Sequence, residues 1–348
     1  MSLTTRVVER IWFGESGIAR AVRGALSPAS AAYAGMMRAR RRMYDAGILA
    51  VTPAAIPSIS VGNLTVGGTG KTPVAAWLAR KLAQRARPAI VLRGYGGDEI
   101  DVHKRLNPDL VVVANADRAV ALQRAKALGA DVAVLDDAFQ HRRIARVADV
   151  VLVSAEQMLR PRGVLPAGPW REPLTSARRA DLVILTSKAI TRGDRDLATS
   201  QLRDLIGDAP LAVVGLHADV LLDVAEPTRG MSAQELRGKR VHAIAAIGEP
   251  ELFRKQLVWF GADVSLSAFP DHHAFTDREI ASLASKRADL VVCTLKDAVK
   301  LAARWPGPNR LWYVSQQLQV EQGQEHIDRL LQRVLTARDA RPSTSIAG

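Results

Sequence analysis

The stretch Ser60-Val-Gly-Asn-Leu-Thr-Val-Gly-Gly-Thr-Gly-Lys-Thr72 constrains the chain more than any other. An apolar run before it (Ile56, Ile59, Val61) reads as a buried strand. Gly67, Gly68 and Gly70 then allow a tight turn, and Pro73-Val-Ala-Ala-Trp-Leu-Ala-Arg after Lys71-Thr72 reads as a helix. Strand, glycine turn, Lys-Thr and helix form the context of a phosphate-binding P-loop. Glycines let backbone N–H groups approach phosphate, and the helix N-terminus adds about half a positive charge. The loop Thr65, Gly67, Gly68, Thr69, Gly70, Lys71, Thr72 is therefore the candidate nucleotide cradle. Lys71 would reach the β- and γ-phosphates, and the Thr72 hydroxyl would ligate Mg²⁺. Thr65 stands where the general pattern has its first glycine. Pro73 suits an early helical position, where its missing N–H has no partner to lose.

The surroundings predict an α/β chain. Apolar runs at Ile56–Val61, Ala89–Leu92, Leu110–Val113, Val132–Leu135, Val150–Val153, Leu182–Leu185 and Leu211–Leu216 alternate with helical patterns such as Val74–Arg85 and Arg118–Leu128. Near-continuous apolar strands separated by helices predict a mostly parallel sheet of P-loop NTPase type, with helices on both faces. Residues 51–220 form this core, 221–240 a linker, 241–335 a smaller α/β lobe, and 336–348 a frayed tail. The smaller lobe's strands are expected at Val241–Ala246, Asp263–Ala268, Leu290–Thr294 and Leu311–Val314.

Residues 1–50 differ from the rest. Val7, Val8, Ile11, Trp12, Ile18 and Val22 recur at helical spacing among arginines, and Arg38, Arg40, Arg41 and Arg42 cluster near Tyr33, Met36, Met37 and Tyr44. This reads either as an amphipathic helix pair on an anionic membrane surface or as helices packed on the core with solvated arginines. The chain carries 48 Lys+Arg against 35 Asp+Glu, a formal charge of +13, which points to polyanionic partners. Aromatics make up only 5% and do not interleave with arginine runs, which argues against a nucleic-acid platform. No run is apolar enough for a transmembrane helix, since Pro53 and Pro57 interrupt the nearest approach. The single Cys293 lies in an apolar strand-like run and reads as a buried structural thiol rather than a nucleophile.

Several further segments carry candidate chemistry. Val132-Ala-Val-Leu-Asp136-Asp137 is an apolar strand ending in two acids, which repel unless a cation lies between them. Asp136 and Asp137 are thus candidate Mg²⁺ ligands, with a polar turn as the alternative, and Gln140 and His141 follow on the same edge. Leu92-Arg-Gly-Tyr-Gly-Gly97 lets Arg93 and Tyr95 approach a ligand. Asp98-Glu99 comes next, and Asp98, Glu99 and Asp101 are equivalent candidates for a proton acceptor. Pro166-Ala-Gly-Pro-Trp-Arg-Glu-Pro173 places Glu172 in a rigid loop, facing metal or substrate or simply packing. Asp271-His272 suggests a tuned histidine, and in Thr294-Leu-Lys-Asp-Ala-Val-Lys300 the pair Lys296 and Asp297 either caps a helix or meets ligand.

Taken together, six motifs in this order resemble the tetraacyldisaccharide 4′-kinase (lipid A 4′-kinase) family over nearly the whole chain. They are Val61–Pro73, Arg93–Gly97, Asp136–His141, Leu165–Pro169 with Arg171-Glu172, Asp271-His272, and Thr294–Lys300. The loop without a first glycine is similar to this family's own. The resemblance implies two α/β lobes joined by a β-ribbon linker and an N-terminal helical region meeting the membrane. It implies ATP- and Mg²⁺-dependent phosphorylation of the 4′-hydroxyl of a tetraacylated, 1-phosphorylated glucosamine disaccharide lipid, giving lipid IVA. It places the enzyme peripherally, on the cytoplasmic face of the bacterial inner membrane. By motif, Lys71 and Thr72 bind phosphate and metal, Asp136, Asp137 and Glu172 form an acidic metal shell, and Arg93, Tyr95, Gln140 and His141 meet substrate. His272 pairs with a catalytic aspartate. The family's Gly-Asp-Glu-Pro element is shortened here to Gly97-Asp98-Glu99-Ile100, which makes Asp98 the expected base. Base and histidine are expected from different lobes, so that lobe closure would gate turnover. Ala138 and Leu295 replace a family glycine and glutamate.

Overall fold

The computed structural model describes residues 3–94, 98–188, 190–248, 250–306 and 309–341. Two helices come first, α1 (Leu3–Phe13) and α2 (Gly17–Asp45). The first half of the α/β pattern follows as β1 (Ser58–Asn63), α3 (Lys71–Leu82), β2 (Pro88–Leu92), α4 (Asp98–Leu106), β3 (Val111–Ala114), α5 (Arg118–Ala127) and β4 (Val132–Asp136). Next are β5 (Ala148–Ser154), α6 (Ala155–Met158), β6 (Leu182–Ser187), α7 (Arg192–Ile206) and β7 (Leu211–Asp223). The chain continues through β8 (Gly230–Ser232), β9 (Arg240–Ala245), α8 (Pro250–Trp259), β10 (Asp263–Ala268) and α9 (Asp277–Ala284). It ends with β11 (Leu290–Cys293), α10 (Leu295–Leu301), β12 (Leu311–Gln322) and α11 (Gln324–Asp339).

These elements form two compact units. The larger comprises Val8–Gly94, Leu106–Gly215 and Gln319–Gly348; the smaller comprises Met1–Val7, Tyr95–Arg105 and Leu216–Leu318. In the larger unit the strands run in the order β7-β6-β5-β1-β4-β2-β3 and pair in parallel. Their near-continuous burial explains the apolar runs: β1, β2, β4 and β6 have every residue buried. One face packs Leu64, Phe139, Val151 and Leu185 against Leu202 and Ile206 of α7. The other packs Ala89, Val91 and Leu135 against Ala121, Leu122 and Ala125 of α5. Each fully buried Leu, Ile or Phe contributes about 1.5–3 kcal/mol relative to exposure.

β1 lies between β4 and β5, with Val61 opposite Asp136 and opposite Val150. Strand order therefore reverses beside β1, and ligands of open α/β sheets bind at such switch points, beyond the strands' carboxyl ends. The loop after β1 and the acids ending β4 lie at that edge. In the smaller unit, β10-β9-β11-β12 form a second parallel run. It packs Val241, Ala243 and Val292 against Phe253 and Leu257 of α8, and Ile244 and Val291 against Ile280, Ala298 and Leu301. There β8 pairs antiparallel with the end of β7. Cys293 is fully buried, and burial together with neighbouring Asp297 pushes its thiol well above the ordinary range, as suits a structural residue.

In the N-terminal region, Ser16 caps α2, its hydroxyl accepting from the Ala19 N–H at 3.2 Å. Arg23 donates to the carbonyls of Ile11 and Gly14 at 2.6 and 2.7 Å and pins the turn between α1 and α2. Only Ala19, Ser30, Ala34 and Tyr44 of α2 are buried. Ile18, Met36 and Met43 are exposed and fall on one side of the helix, within about 20° at 100° per residue.

Candidate functional site

The turn after β1 is held from several sides. Gly70 adopts φ 84°, a left-handed conformation suited to glycine, and serves as N-cap of α3, so Lys71 and Thr72 open the helix. Asn63, the last residue of β1, donates through Nδ2 to Thr69 Oγ1 at 2.9 Å. Thr65 is buried, its hydroxyl 2.6 Å from Gln157 Oε1, and it forms a β-bridge with Trp170. Val66 N–H donates to Pro169 O at 2.8 Å, and Arg171 N–H to Leu64 O at 2.7 Å. The rigid proline-rich segment thus braces the first half of the loop. The Thr65 and Thr69 side chains are both engaged in internal contacts.

The acid pair sits directly beside this loop. Asp136 is buried at the end of β4, and one of its carboxylate oxygens accepts the Asp137 N–H at 2.9 Å. Asp137 is half-exposed; its Oδ1 lies 3.7 Å from Lys71 Nζ and 3.4 Å from Arg171 Nη1. Beyond it, Ala138 N–H donates to Val61 O at 3.0 Å, which locks the turn to the P-loop strand. Gly62 is needed for this approach, since a Cβ there would fall 2.6 Å from Phe139 Cβ. Gln140 Nε2 donates to Asn63 O at 2.8 Å, so its amide supports the loop. His141 is partly buried, and burial lowers its pKa, aided by the positive charges of Arg118, Arg146, Arg143 and Arg40. Arg93 is exposed just after β2, and Tyr95 lies outside the described residues.

Glu172 departs from expectation. It is buried, and both carboxylate oxygens accept from Arg179, at 2.7 and 3.1 Å. The Arg179 guanidinium lies over the Phe139 ring, 3.8 Å from its centroid. Burial lowers the arginine pKa while Glu172 opposes that shift. Among the described residues no three acidic, histidine or cysteine side chains gather as a metal site, and the contact that Glu172 makes is with Arg179. The Arg-Glu dipeptide carries no sign of this partner seven positions on.

The second cluster belongs to the smaller unit alone. Asp98 opens α4, and Glu99 and Asp101 join it in the first turn, where the helix dipole favours negative charge. The Asp98 side chain is 4% exposed and its Oδ2 lies 3.1 Å from His272 Nδ1 and 3.4 Å from Lys300 Nζ. His272 is 44% exposed in the side chain, so the pair has one buried member and one facing outward. A cavity of about 340 Å³ opens on them, lined also by Asp101, His273 and Phe275. Asp98 and His272 lie in the same compact unit, which corrects the expectation that they come from different lobes. Although Asp98 falls between β2 and β3 in the chain, α4 packs with the residues after Leu216. Lys300 went unassigned in the sequence because nothing ties it to an aspartate some two hundred residues earlier. Thr294 caps α10 by accepting the Asp297 N–H, and the buried Asp297 Oδ2 accepts from Thr294 Oγ1 at 2.6 Å and from Ala246 N–H at 3.0 Å. Leu295, in place of the family's glutamate, packs against the core.

Asp137 and His272 have φ of 50° and 59°, and they are the non-glycine residues of left-handed conformation among those described. Such strain persists where the surroundings impose it, often at functional sites. Comparison with known proteins agrees with the motifs: the family model of tetraacyldisaccharide-1-P 4′-kinase matches residues 22–336. The chain belongs to this kinase family. A tetraacyldisaccharide 4′-kinase of Anaeromyxobacter sp. (strain Fw109-5) is 38% identical, covering 96% of this chain and 98% of that protein. One from Porphyromonas gingivalis (strain ATCC BAA-308 / W83) is 34% identical over 88% of this chain and 96% of its own length. The crystal structure of LpxK from Aquifex aeolicus, solved in complex with ATP, superposes with a TM-score of 0.72 at 28% identity, covering 90% of this chain and 99% of that one.

Proposed function

We propose that this chain transfers the γ-phosphoryl group of ATP to the 4′-hydroxyl of a tetraacylated, 1-phosphorylated glucosamine disaccharide, giving lipid IVA. The observation that carries this reading beyond nucleotide binding is the contact of Asp98 with His272 at 3.1 Å, a proton-accepting pair that an NTP-driven switch does not need. The Gly67–Gly70 backbone and the start of α3 bind the nucleotide phosphates, and Lys71 neutralises charge on the transferred group. Asp98 accepts the proton of the 4′-hydroxyl as that oxygen attacks the γ-phosphorus in line, breaking the bond to the ADP leaving oxygen. His272 holds the Asp98 carboxylate in register, and Lys300 adds a positive charge behind it. His141, with Arg93, Tyr95 and Gln140, serves the sugar side.

The residues also fit Mg²⁺, which is held by one or two carboxylates together with substrate phosphates rather than by an all-protein cage. Thr72, Asp136 and Asp137 supply hard oxygen donors of that number, whereas Glu172 is occupied by Arg179. When bound, the ion would polarise the phosphate oxygens. The test is ³²P transfer from γ-labelled ATP to the monophosphorylated tetraacyl disaccharide in detergent micelles. Labelled lipid IVA is the expected product; ATP hydrolysis without labelled lipid would defeat the reading.

The acceptor is a lipid, and among the described residues no helix is long and apolar enough to cross a membrane. Support for peripheral attachment to the cytoplasmic leaflet of the inner membrane comes from α2, with Ile18, Met36 and Met43 exposed on one side; Arg38 and Arg42 are exposed too, about 160° and 120° around the helix from Ile18. Apolar burial in the interface and about 1 kcal/mol per basic residue near anionic lipid would add together. Replacing Ile18 and Met36 by Asp and Arg38 and Arg42 by Ser is expected to reduce co-sedimentation with phosphatidylglycerol vesicles at least tenfold. Turnover of micellar substrate would fall less. Unchanged sedimentation would leave α2 without a membrane role.

A further inference from the structure

The loop after β1 is gripped on a side to which neither the motifs nor the family assign a role. Lys188, just past the end of β6, donates from Nζ to Gly68 O at 2.7 Å. Thr186, inside β6 and buried, donates from Oγ1 to Thr69 O at 2.9 Å. The lysine is itself held: its backbone N–H donates to Glu156 Oε1 at 2.6 Å, and Glu156 Oε2 accepts from Ser154 Oγ at 2.5 Å. The adjacent Gln157 takes the Thr65 hydroxyl. On the far side, the Thr69 N–H donates to Gly67 O at 3.1 Å. Carbonyls of three successive loop residues, Gly67, Gly68 and Thr69, are thus each engaged by a donor from the protein.

This matters for a loop whose task is to bind an anion. A trans peptide points its C=O and N–H in opposite directions. A carbonyl swung toward phosphate would present its negative end and, in the Thr69–Gly70 peptide, turn the Gly70 N–H away from the nest. Glycine-rich backbone has little intrinsic resistance to such a swing. Donors from β6 and from the residue just after it supply the resistance: the strand is wholly buried, and the Lys188 backbone is tied to Glu156.

We propose that Lys188 and Thr186 are positioning residues of the nucleotide site. They hold the Gly68 and Thr69 carbonyls away from the phosphates and keep the loop in its anion-binding form. The inference rests on the reading of this loop as the ATP phosphate site. Lys188 is exposed, so its replacement does not open the core.

The experiment is calorimetric binding of ATP, with and without Mg²⁺, to the full chain and to Lys188→Met, Lys188→Arg and Thr186→Val. Lys188→Met and Thr186→Val are expected to weaken ATP about tenfold and fivefold, as suits loss of one charge-assisted and one neutral hydrogen bond. Lys188→Arg, which still donates to a carbonyl, should recover most of the loss. In the transfer assay the KM for ATP should rise by a similar factor while kcat changes less. Equal affinity in wild type, Lys188→Met and Thr186→Val overturns the inference and leaves the proposed function intact, and so does a fall in kcat at unchanged affinity. Failure of the wild-type chain to bind ATP defeats the phosphate-site reading and this inference with it.

Discussion

Asp98→Ala is expected to lower kcat for lipid phosphorylation by about 10²-fold or more, within the 10²–10⁴ range of a residue that accepts a proton in the transition state. ATP affinity should change far less than kcat, because the part proposed for the aspartate is proton transfer and not the binding of phosphate. His272→Ala should lose nearly as much. The aspartate's contact with the ring, at 3.1 Å, and with Lys300, at 3.4 Å, leaves its buried carboxylate oriented by those two groups. Residues that act as a unit are strongly non-additive, so the double variant should be little worse than either single one. The measurement is ³²P transfer under saturating ATP for the two single variants and the double. Losses that multiply would mean that the residues act in separate steps. Full activity in Asp98→Ala with loss in Asp101→Ala would move the base one helical turn along α4.

Such a pair shows where reading the chain stops. β1, the glycine turn and α3 are written locally, because apolar run, glycines and Lys-Thr are contiguous and each has its own backbone reason. The strand runs of the parallel sheet are legible for the same cause: burial on both faces leaves little room for polar residues. β12 was expected to end at Val314 but continues to Gln322, where residues such as Gln316, Gln317 and Gln319 pass out of the core and the apolar run dissolves. The strand that ends in two acids is legible as well, and the pairing of Val61 with Asp136 puts it beside β1. By contrast, Asp98 and His272 are 174 positions apart and come together only through tertiary folding. Residue types alone left Asp98, Glu99 and Asp101 equivalent, and only the resemblance to a family singled out the first. Lys188 and Thr186 carry no spacing signal at all, since any strand in such a sheet may end in a polar residue. Glu172 is hard to read for a related reason: a carboxylate's role depends on the cation that reaches it, and here Arg179, seven positions on, pairs with it.

Removing that carboxylate should be costly in a way that separates structure from chemistry. The Glu172 side chain is 6% exposed and that of Arg179 is 18%, so the ion pair is largely shielded from water. Breaking a buried pair by deleting one partner costs about 3–5 kcal/mol, because the remaining charge has lost both water and counter-charge. Glu172→Ala is expected to lose that much stability in urea unfolding of the ligand-free chain. Glu172→Gln should lose less, since its amide oxygen still accepts from the guanidinium. The double variant Glu172→Met with Arg179→Met should recover most of the loss, because well-packed apolar residues are often neutral replacements for a buried pair. The Phe139 ring under the guanidinium offers a surface on which a methionine can pack. A metal-ligand role predicts the opposite pattern: Glu172→Ala would keep its stability, raise the Mg²⁺ concentration needed for half-maximal transfer, and gain nothing from the change at Arg179. Urea midpoints and Mg²⁺ titrations on the same three variants therefore decide between an ion pair that holds the loop beneath Arg171 and a ligand that the fold has turned away from its metal.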